Sequence, residues 1–296
     1  MADEHERVQL PHSPSTSTFK DDIFKGKVLF CTGGGSGICY EMTKAIMTHG
    51  AQATIVGRKA ERLESAAQSL SQSTGKRCIA ASGDVRKPED LANAVRKTIE
   101  AFGRIDFVIC GAAGNFLAPI EGISSNAFRT VLEIDLLGTY NTIKATLEEV
   151  KKTRGSYLHV SATLHYSGIP WQSAPSAAKA GVDALSNALA VEMGPLGVRS
   201  NCVAPGAIRG TEGMERLAPK GSEDLIDLGI PLQKMGEKGD IASVGVFLFS
   251  PAATWITGEV IVCDGGGRHF QGPMLPYPTS TLDPQAIKSL VTGSKL

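Results

Sequence analysis

A glycine-rich stretch near the amino terminus is the first part of this sequence whose residue types and spacing could do chemistry. Thr32-Gly-Gly-Gly-Ser-Gly-Ile follows the apolar run Val28-Leu-Phe-Cys and opens a segment with helical periodicity. Glycines here let the backbone turn tightly and approach a pyrophosphate, whose charge a helix N-terminus favours. The position between strand and helix predicts nucleotide binding rather than an ordinary flexible turn. The expected contacts are Gly33, Ser36, Gly37 and Ile38.

The residues after the second apolar run indicate which nucleotide would bind. An NAD site usually has an acid there, whereas this chain has Gly57-Arg58-Lys59 and no acid before Glu61. The guanidinium of Arg58 suits a 2′-phosphate, so NADPH is the expected cofactor, although Arg58 could also be a solvated arginine at a helix start. After the third apolar run, Asp84 and Val85 lie where a carboxylate could bind the adenine amino group.

The elements that must position these residues alternate along the chain. Continuous apolar strands separated by helices predict a parallel sheet that is covered on both faces. The sequence therefore predicts a single-domain α/β fold, a Rossmann-type doubly wound seven-stranded parallel sheet with helices on both faces. Strands are predicted at 28–31, 53–56, 78–81, 105–110, 157–160, 198–203 and 259–263, and helices at 38–49, 60–71, 88–102, 127–152, 176–192 and 240–249.

Composition restricts the domain organisation and the class of partner. Residues 1–22 and 269–296 are rich in polar residues and proline and are predicted to be flexible or extended tails around one domain at 23–268. Thirty basic residues balance thirty acidic ones, which argues against nucleic acid or a membrane surface as partner. No apolar run approaches the roughly 20 residues of a membrane helix, and no secretory signal is present. A soluble, intracellular chain without membrane insertion is expected.

The six cysteines do not predict a metal site. None stand at the spacing of metal ligands, and several fall in or beside apolar strand-like runs. Buried thiols in a reducing compartment are the expected interpretation, with no metal bound.

Taken together, these motifs resemble the short-chain dehydrogenase/reductase family over residues 26–267. The residues that carry the resemblance are Thr32-Gly-x-x-x-Gly37, Asp84-Val85, Gly111-Ala-Ala-Gly114, Lys179, Asn201-Cys-Val-Ala-Pro-Gly206 and Asp264-Gly-Gly. The resemblance implies that Lys179 binds the nicotinamide ribose and that Pro205 and Ile208 also contact the cofactor. It further implies a homo-oligomer, a dimer or tetramer formed through the helix that carries Lys179.

The catalytic positions depart from the family pattern of Asn, Ser, Tyr and Lys. Only Lys179 is retained, since the other three positions hold Asp135, Ala162 and Pro175. Reduction of a ketone needs an acid at the carbonyl oxygen, which the family's tyrosine supplies. Its absence predicts a reaction in which hydride and proton both go to carbon.

Three segments narrow the resemblance to the peroxisomal 2,4-dienoyl-CoA reductases. These are Gly114-Asn-Phe-Leu, Ser161-Ala-Thr-Leu-His-Tyr and Pro205-Gly-Ala-Ile-Arg-Gly-Thr-Glu-Gly. Enzymes of this kind reduce a dienoyl thioester with NADPH to a trans-3-enoyl-CoA, an auxiliary step in β-oxidation of unsaturated fatty acids. The chain ends in Ser294-Lys295-Leu296, an address read by the peroxisomal import receptor. The expected location is the peroxisomal matrix.

Three residues are candidates for delivering the proton to the α-carbon. Asp135 is the first, and Asp264 is a second carboxylate at the same edge of the sheet, so the two could hold a proton-donating water if they converge. Asp135 could instead bond at a helix kink, and Asp264 could instead stabilise its Asp-Gly-Gly turn. Tyr166 is the rival acid, with a packing role as the alternative.

An acyl-CoA substrate would need further contacts. Asn115, Phe116 and Ser161 are expected to bind the thioester and the acyl chain. Residues 211–230 have the composition of a lid, and Arg209, Arg216 and Lys220 could bind phosphates or simply be solvated. Two other functions stay open: a reductase of 2-enoyl-CoA or 3-oxoacyl thioesters, and a non-catalytic NADP-binding protein.

Overall fold

The computed structural model describes residues 15–17, 19–114, 117–217 and 223–270. Its centre is a sheet of strands β1 (Val28–Thr32), β2 (Gln52–Gly57), β3 (Cys78–Ser82), β4 (Phe107–Cys110), β5 (Ser156–Val160), β6 (Arg199–Pro205) and β7 (Val260–Cys263). All strand pairs are parallel, in the order β3-β2-β1-β4-β5-β6-β7. The predicted doubly wound fold is confirmed, and each strand lies within a few residues of its predicted place.

Helices cover both faces of the sheet. They are α1 (Gly37–Thr48), α2 (Ala60–Thr74), α3 (Pro88–Phe102), α4 (Ser125–Leu132), α5 (Gly138–Thr153), α6 (Leu164–Ser167), α7 (Ser173–Met193), α8 (Glu212–Leu217), α9 (Glu223–Leu228) and α10 (Lys238–Phe249). Because side chains alternate along a strand, Leu29 packs in one core with α1, α2 and α10, whereas Phe30 packs in the other with α3, α5 and α7. Each such fully buried side chain contributes about 1.5–3 kcal/mol.

The predicted helix at 127–152 differs from the structure in one respect that matters for the site. It is interrupted between α4 and α5 by a π-helical turn, Glu133–Leu137, which contains Asp135. A π turn inserts a residue into the helical repeat and re-aims the side chains within it. Helical periodicity alone could not indicate this interruption.

The chain before β1 lies against the end of α1. His49 is fully buried there, with Nδ1 2.8 Å from the carbonyl oxygen of Lys20 and Nε2 3.0 Å from Ser15 Oγ. The predicted domain boundaries remain predictions, since residues 1–14 and 271–296 lie outside the described residues.

Candidate active site

A cleft of about 690 Å³ opens at the carboxyl edge of the sheet. It lies where the strand order reverses between β1 and β4, the place at which doubly wound sheets bind ligands. The structure brings together ten of the residues predicted from the sequence: its lining includes Gly33, Ser36, Gly37, Ile38, Arg58, Asp84, Val85, Ser161, Lys179 and Pro205.

The glycine-rich turn has the shape of a phosphate cradle. Gly33 has a left-handed φ of 73°, and a Cβ added to it would lie 2.6 Å from the carbonyl oxygen of Gly111. Ser36 is the N-cap of α1, but its side chain makes no capping bond. The first backbone N–H groups of α1 thus have no side-chain cap at the cleft, which is the arrangement that binds a pyrophosphate.

The end of β2 is cationic. Arg58, Lys59 and Arg62 line the cleft together, and Arg62 forms an ion pair of 2.5 Å with Glu212 at the start of α8. Guanidinium and ammonium groups clustered in this way are a suitable environment for a phosphate group. The contact between Arg62 and Glu212 was not anticipated, because the two residues are distant in sequence.

The carboxylate of Asp84 is hydrogen-bonded by the side chain of Arg86, two residues along the chain. Arg86 Nε donates to Asp84 Oδ1 at 3.0 Å and to Oδ2 at 3.1 Å. This side-chain bonding lowers the pKa of Asp84 below its usual value, and the charge of nearby Arg58 acts in the same direction. The carboxylate is therefore ionised at the place predicted for the adenine amino group.

Lys179 and Asp135 form a buried ion pair. Lys179 Nζ lies 3.4 Å from Asp135 Oδ2 and donates to the carbonyl oxygen of Val160 at 2.8 Å. Asp135 Oδ1 accepts from the Gly114 amide at 2.7 Å, and only 1% of Asp135 is exposed. The π turn of Asp135 packs against α7, which carries Lys179. The sequence indicated both residues but not that they pair.

Asp264 is bonded within its own turn. Its Oδ1 accepts from the Gly266 amide at 2.9 Å and its Oδ2 from the Arg268 amide at 2.7 Å. Its Cβ lies beside Gly206 at the rim of the cleft. No hydrogen bond or ion pair within the described residues joins Asp264 to Asp135. This geometry supports the turn-stabilising alternative.

Tyr166 belongs to a cluster that sequence reasoning missed. Its hydroxyl donates to Asp183 Oδ2 at 2.9 Å, and His165 Nε2 lies 2.8 Å from the same oxygen. Burial and the Asp183 carboxylate raise the pKa of Tyr166, which makes the phenol a weaker proton donor. Asp183 follows Lys179 by four residues and so lies on the same face of the helix. This spacing could have identified Asp183 as a candidate site residue from the sequence.

Other predicted residues lie elsewhere. The side chain of Ile208 packs in the core with 3% exposed and does not line the cleft. Arg209 pairs with Asp227 at 3.3 Å and with Glu237 at 3.5 Å. Asn115, Phe116, Lys220, the Arg216 side chain and the terminal Ser294-Lys295-Leu296 lie outside the described residues.

Comparison with known proteins decides the family. Residues 33–268 match the family model described as enoyl-(acyl carrier protein) reductase. A short-chain dehydrogenase from Bacillus anthracis superposes with a TM-score of 0.76 at 33% identity, covering 84% of this chain and 100% of that one. The chain belongs to the short-chain dehydrogenase/reductase family. Levodione reductase has the same fold, with a TM-score of 0.78 at 29% identity over 83% of this chain and 99% of its own.

Within the short-chain dehydrogenase/reductase family, several proteins that are similar to this chain have the same name. A Saccharomyces cerevisiae protein named peroxisomal 2,4-dienoyl-CoA reductase [(3E)-enoyl-CoA-producing] is 53% identical over 86% of this chain and 88% of its own length. The proteins of that name from Danio rerio (45% identical, 85% and 84% covered) and Arabidopsis thaliana (43%, 84% and 87%) are also similar. Among the helices of the described residues, none is long and apolar enough to cross a membrane.

Proposed function

We propose that this chain is an NADPH-dependent reductase of 2,4-dienoyl-CoA that yields trans-3-enoyl-CoA in peroxisomal β-oxidation of unsaturated fatty acids. The observation that carries the proposal is the buried pair of Lys179 and Asp135 beside Pro175, in a site that keeps the cofactor cradle but has no tyrosine before the lysine. The 2,4-dienoyl-CoA reductases that share 42–53% identity with the chain support the same reaction.

The site residues suit hydride and proton addition to carbon. NADPH, held by the residues that line the cleft, would supply a hydride for the far carbon of the diene. Negative charge then spreads to the thioester oxygen, where preorganised positive charge and hydrogen-bond donors stabilise it. Lys179 supplies the positive charge, and Asp135 and the Val160 carbonyl hold its ammonium in place. Ser161, whose buried Oγ has no partner in the described part of the chain, is the proposed donor to that oxygen.

Protonation of the α-carbon is the second half of the reaction. Asp135 is proposed to act through Lys179, because both its carboxylate oxygens already have partners. Asp264 is proposed to act from the rim beside Gly206, in addition to stabilising its turn. Asn115 and Phe116 keep their proposed role toward the acyl thioester.

NADPH is the proposed nicotinamide cofactor because of the cations at the end of β2. Arg58→Ala should weaken binding of NADPH on the order of 10-fold or more and leave NADH binding unchanged, since only NADPH carries the 2′-phosphate. Fluorescence titration with both nucleotides measures this directly. Equal losses for the two nucleotides would contradict the role of Arg58.

Import and assembly are proposed on separate grounds. Ser294-Lys295-Leu296 is proposed to bind the peroxisomal import receptor, and a chain without these residues should remain outside peroxisomes.

Tyr140 on α5 and Val191 on α7 expose 44% and 78% of their surface. These apolar side chains are proposed to contact a second copy of the chain in a dimer or tetramer. Val191→Glu should reduce the mass measured by light scattering.

The reaction is tested by NADPH oxidation with three thioesters in parallel. We expect turnover with 2,4-hexadienoyl-CoA and little or none with 2-hexenoyl-CoA or acetoacetyl-CoA. Preference for either of the other thioesters would assign the chain to a related reductase. Tight NADPH binding without oxidation in any arm would instead indicate the non-catalytic alternative.

A further inference from the structure

The segment from β5 to the middle of α7 contains an unusual group of polar atoms. Five buried side-chain atoms have no hydrogen-bond partner within the described residues, and all five belong to residues 159–183. They are His159 Nδ1, Ser161 Oγ, His165 Nδ1, Ser173 Oγ and Asp183 Oδ1. Buried polar atoms are almost always hydrogen-bonded to protein or to ordered water. Their concentration beside the cleft indicates a polar interior that water can enter.

Strand geometry places Ser161 in the same layer of side chains as Tyr157 and His159. Tyr157 and His159 point to one face of β5, where their rings stack 6.0 Å apart. Ser161 continues this alternation, since its amide bonds the Val203 carbonyl of β6 at 2.8 Å. Ser161 also lines the cleft, so it connects this layer with the candidate active site.

His165 and Asp183 have the geometry of an acid–base dyad. The 2.8 Å contact between His165 Nε2 and the carboxylate fixes the proton of the neutral ring on Nε2. Nδ1 then holds a lone pair, and in the imidazolium it holds a proton that can be donated. The side chain of His165 is 15% exposed but Nδ1 itself is buried, so a proton reaches this nitrogen through water in the polar interior.

The other candidate residues for the proton transfer already make hydrogen bonds in the described structure. Asp135 bonds Gly114 and Lys179 through its two oxygens, and Asp264 bonds two backbone amides. The hydroxyl proton of Tyr166 is donated to Asp183. His165 differs from them because its Nδ1 has no hydrogen-bond partner within the described residues, so this nitrogen is available to take up and release a proton.

We propose that His165, held by Asp183, relays protons from solvent through Ser161 to the water that protonates the substrate α-carbon. This inference rests on the proposed reduction of 2,4-dienoyl-CoA. Hydride addition forms one C–H bond at the far diene carbon and leaves a dienolate. The α-carbon then takes a proton from the water, and the resulting hydroxide takes one from His165 Nδ1 by way of a bridging water and the Ser161 hydroxyl, since these two protein atoms do not bond each other directly. Neutral His165 regains its proton from solvent through water in the polar interior.

Several charged or titratable groups surround the dyad and will influence its pH dependence. On α7 the neighbouring charge is Lys179, one helical turn before Asp183. On β6 it is the Cys202 thiol, whose pKa burial and Asp183 raise. On the C-terminal side, the Arg268 guanidinium lies 6.0 Å from the centre of the Tyr166 ring.

The experiment compares variants of the two residues that bond the same Asp183 oxygen. His165→Gln can still donate to Asp183 but cannot carry a proton, whereas Tyr166→Phe leaves the dyad intact. With 2,4-hexadienoyl-CoA and NADPH, His165→Gln should lower kcat on the order of 100-fold and flatten its pH profile. KM and NADPH affinity should not change. Tyr166→Phe should keep both kcat and pH profile, and added imidazole should partly restore a His165→Gly variant.

A His165→Gln enzyme with the kcat and pH profile of the natural chain would overturn the relay. Equal losses in the two variants would also overturn it, because they would show a purely structural cluster. A natural chain that is inactive on every dienoyl-CoA would refute the proposed function instead. Nitrogen NMR of the His165 ring then still tests the dyad. Ring signals that change neither with pH nor in Asp183→Asn would overturn it.

Discussion

Two buried carboxylates, Asp135 in the π turn and Asp183 on α7, differ in their hydrogen bonding. Asp135 contacts Lys179, and each of its oxygens has a protein partner. Asp183 bonds His165 and Tyr166 through one oxygen, while its other oxygen is buried without a partner in the described structure. The first arrangement fixes a charge, because moving a proton would break a buried ion pair. The second leaves Asp183 Oδ1 and His165 Nδ1 without partners in the described structure, and we propose that a proton can enter and leave there.

This difference separates two catalytic tasks, stabilising an anionic intermediate and delivering a proton. In the family pattern, the neighbouring tyrosine and lysine perform both tasks together. Stabilising an anionic intermediate needs a permanent positive charge in a fixed place. Delivering a proton needs a group that changes its protonation state during turnover. With Pro175 in the tyrosine position, we propose that Lys179 performs the first task and the region of His165 the second.

The largest expected effect is the loss of the fixed charge pair. Asp135→Asn keeps the size of the side chain and the Gly114 contact but removes the charge that holds Lys179. We expect kcat to fall on the order of 100-fold or more, with NADPH affinity preserved. Turnover and fluorescence titration of NADPH measure the two quantities. A fully active variant would refute the role of Asp135.

His159 extends the second region and makes stability depend on pH. Burial lowers its pKa to about 3, whereas the unfolded chain has the ordinary value of about 6.5. Below pH 6.5 the unfolded state therefore binds a proton that the folded state does not, so stability falls as the pH decreases. Between about pH 6.5 and about pH 5 the expected loss is about 2 kcal/mol.

Urea unfolding at the two pH values measures this loss, with His159→Gln as the control. The control should remove about 2 kcal/mol of the pH dependence, because no group titrates at that position. An identical slope in both proteins would show that other groups cause the acid sensitivity.

Asp183→Asn weakens the second region without removing its side chain. The imidazolium of His165 would lose its counter-charge, so we expect kcat to fall about tenfold while KM stays constant. The pH profile of kcat distinguishes this from a packing defect, since its acidic and basic limbs should shift. An unchanged profile with a lower melting temperature would assign Asp183 to structure alone.

The smallest expected effect is that of Tyr166→Phe. It removes one hydrogen bond to Asp183, worth about 1 kcal/mol of stability. We expect kcat to stay within about twofold, because the raised pKa makes this phenol a poor acid. Thermal unfolding and steady-state kinetics check both values. A loss of turnover comparable with that of Asp135→Asn would restore Tyr166 as the proton donor.

Much of the fold and of the cofactor cleft could be predicted because both depend on local patterns. Apolar runs and glycine positions located the strands and the turn around Gly33, and parallel strands bring their carboxyl ends to one edge. Lys179 was recognisable from its motif. The partners of these residues were not, since Glu212 meets Arg62 and Tyr166 meets Asp183 across long stretches of chain.

The sequence by itself determined the doubly wound sheet, the cationic nucleotide site and the replacement of the catalytic tyrosine. These follow from residue types at short, regular spacings, which backbone geometry converts directly into position. Only the tertiary structure decided which carboxylates have hydrogen-bond or ion-pair partners at both oxygens, and which have one oxygen without a partner in the described residues. The π turn aims Asp135 at Lys179, the Asp264 turn takes both oxygens of that residue, and the short helix α6 carries His165 to Asp183. Such pairings depend on packing between distant segments, which no local pattern encodes.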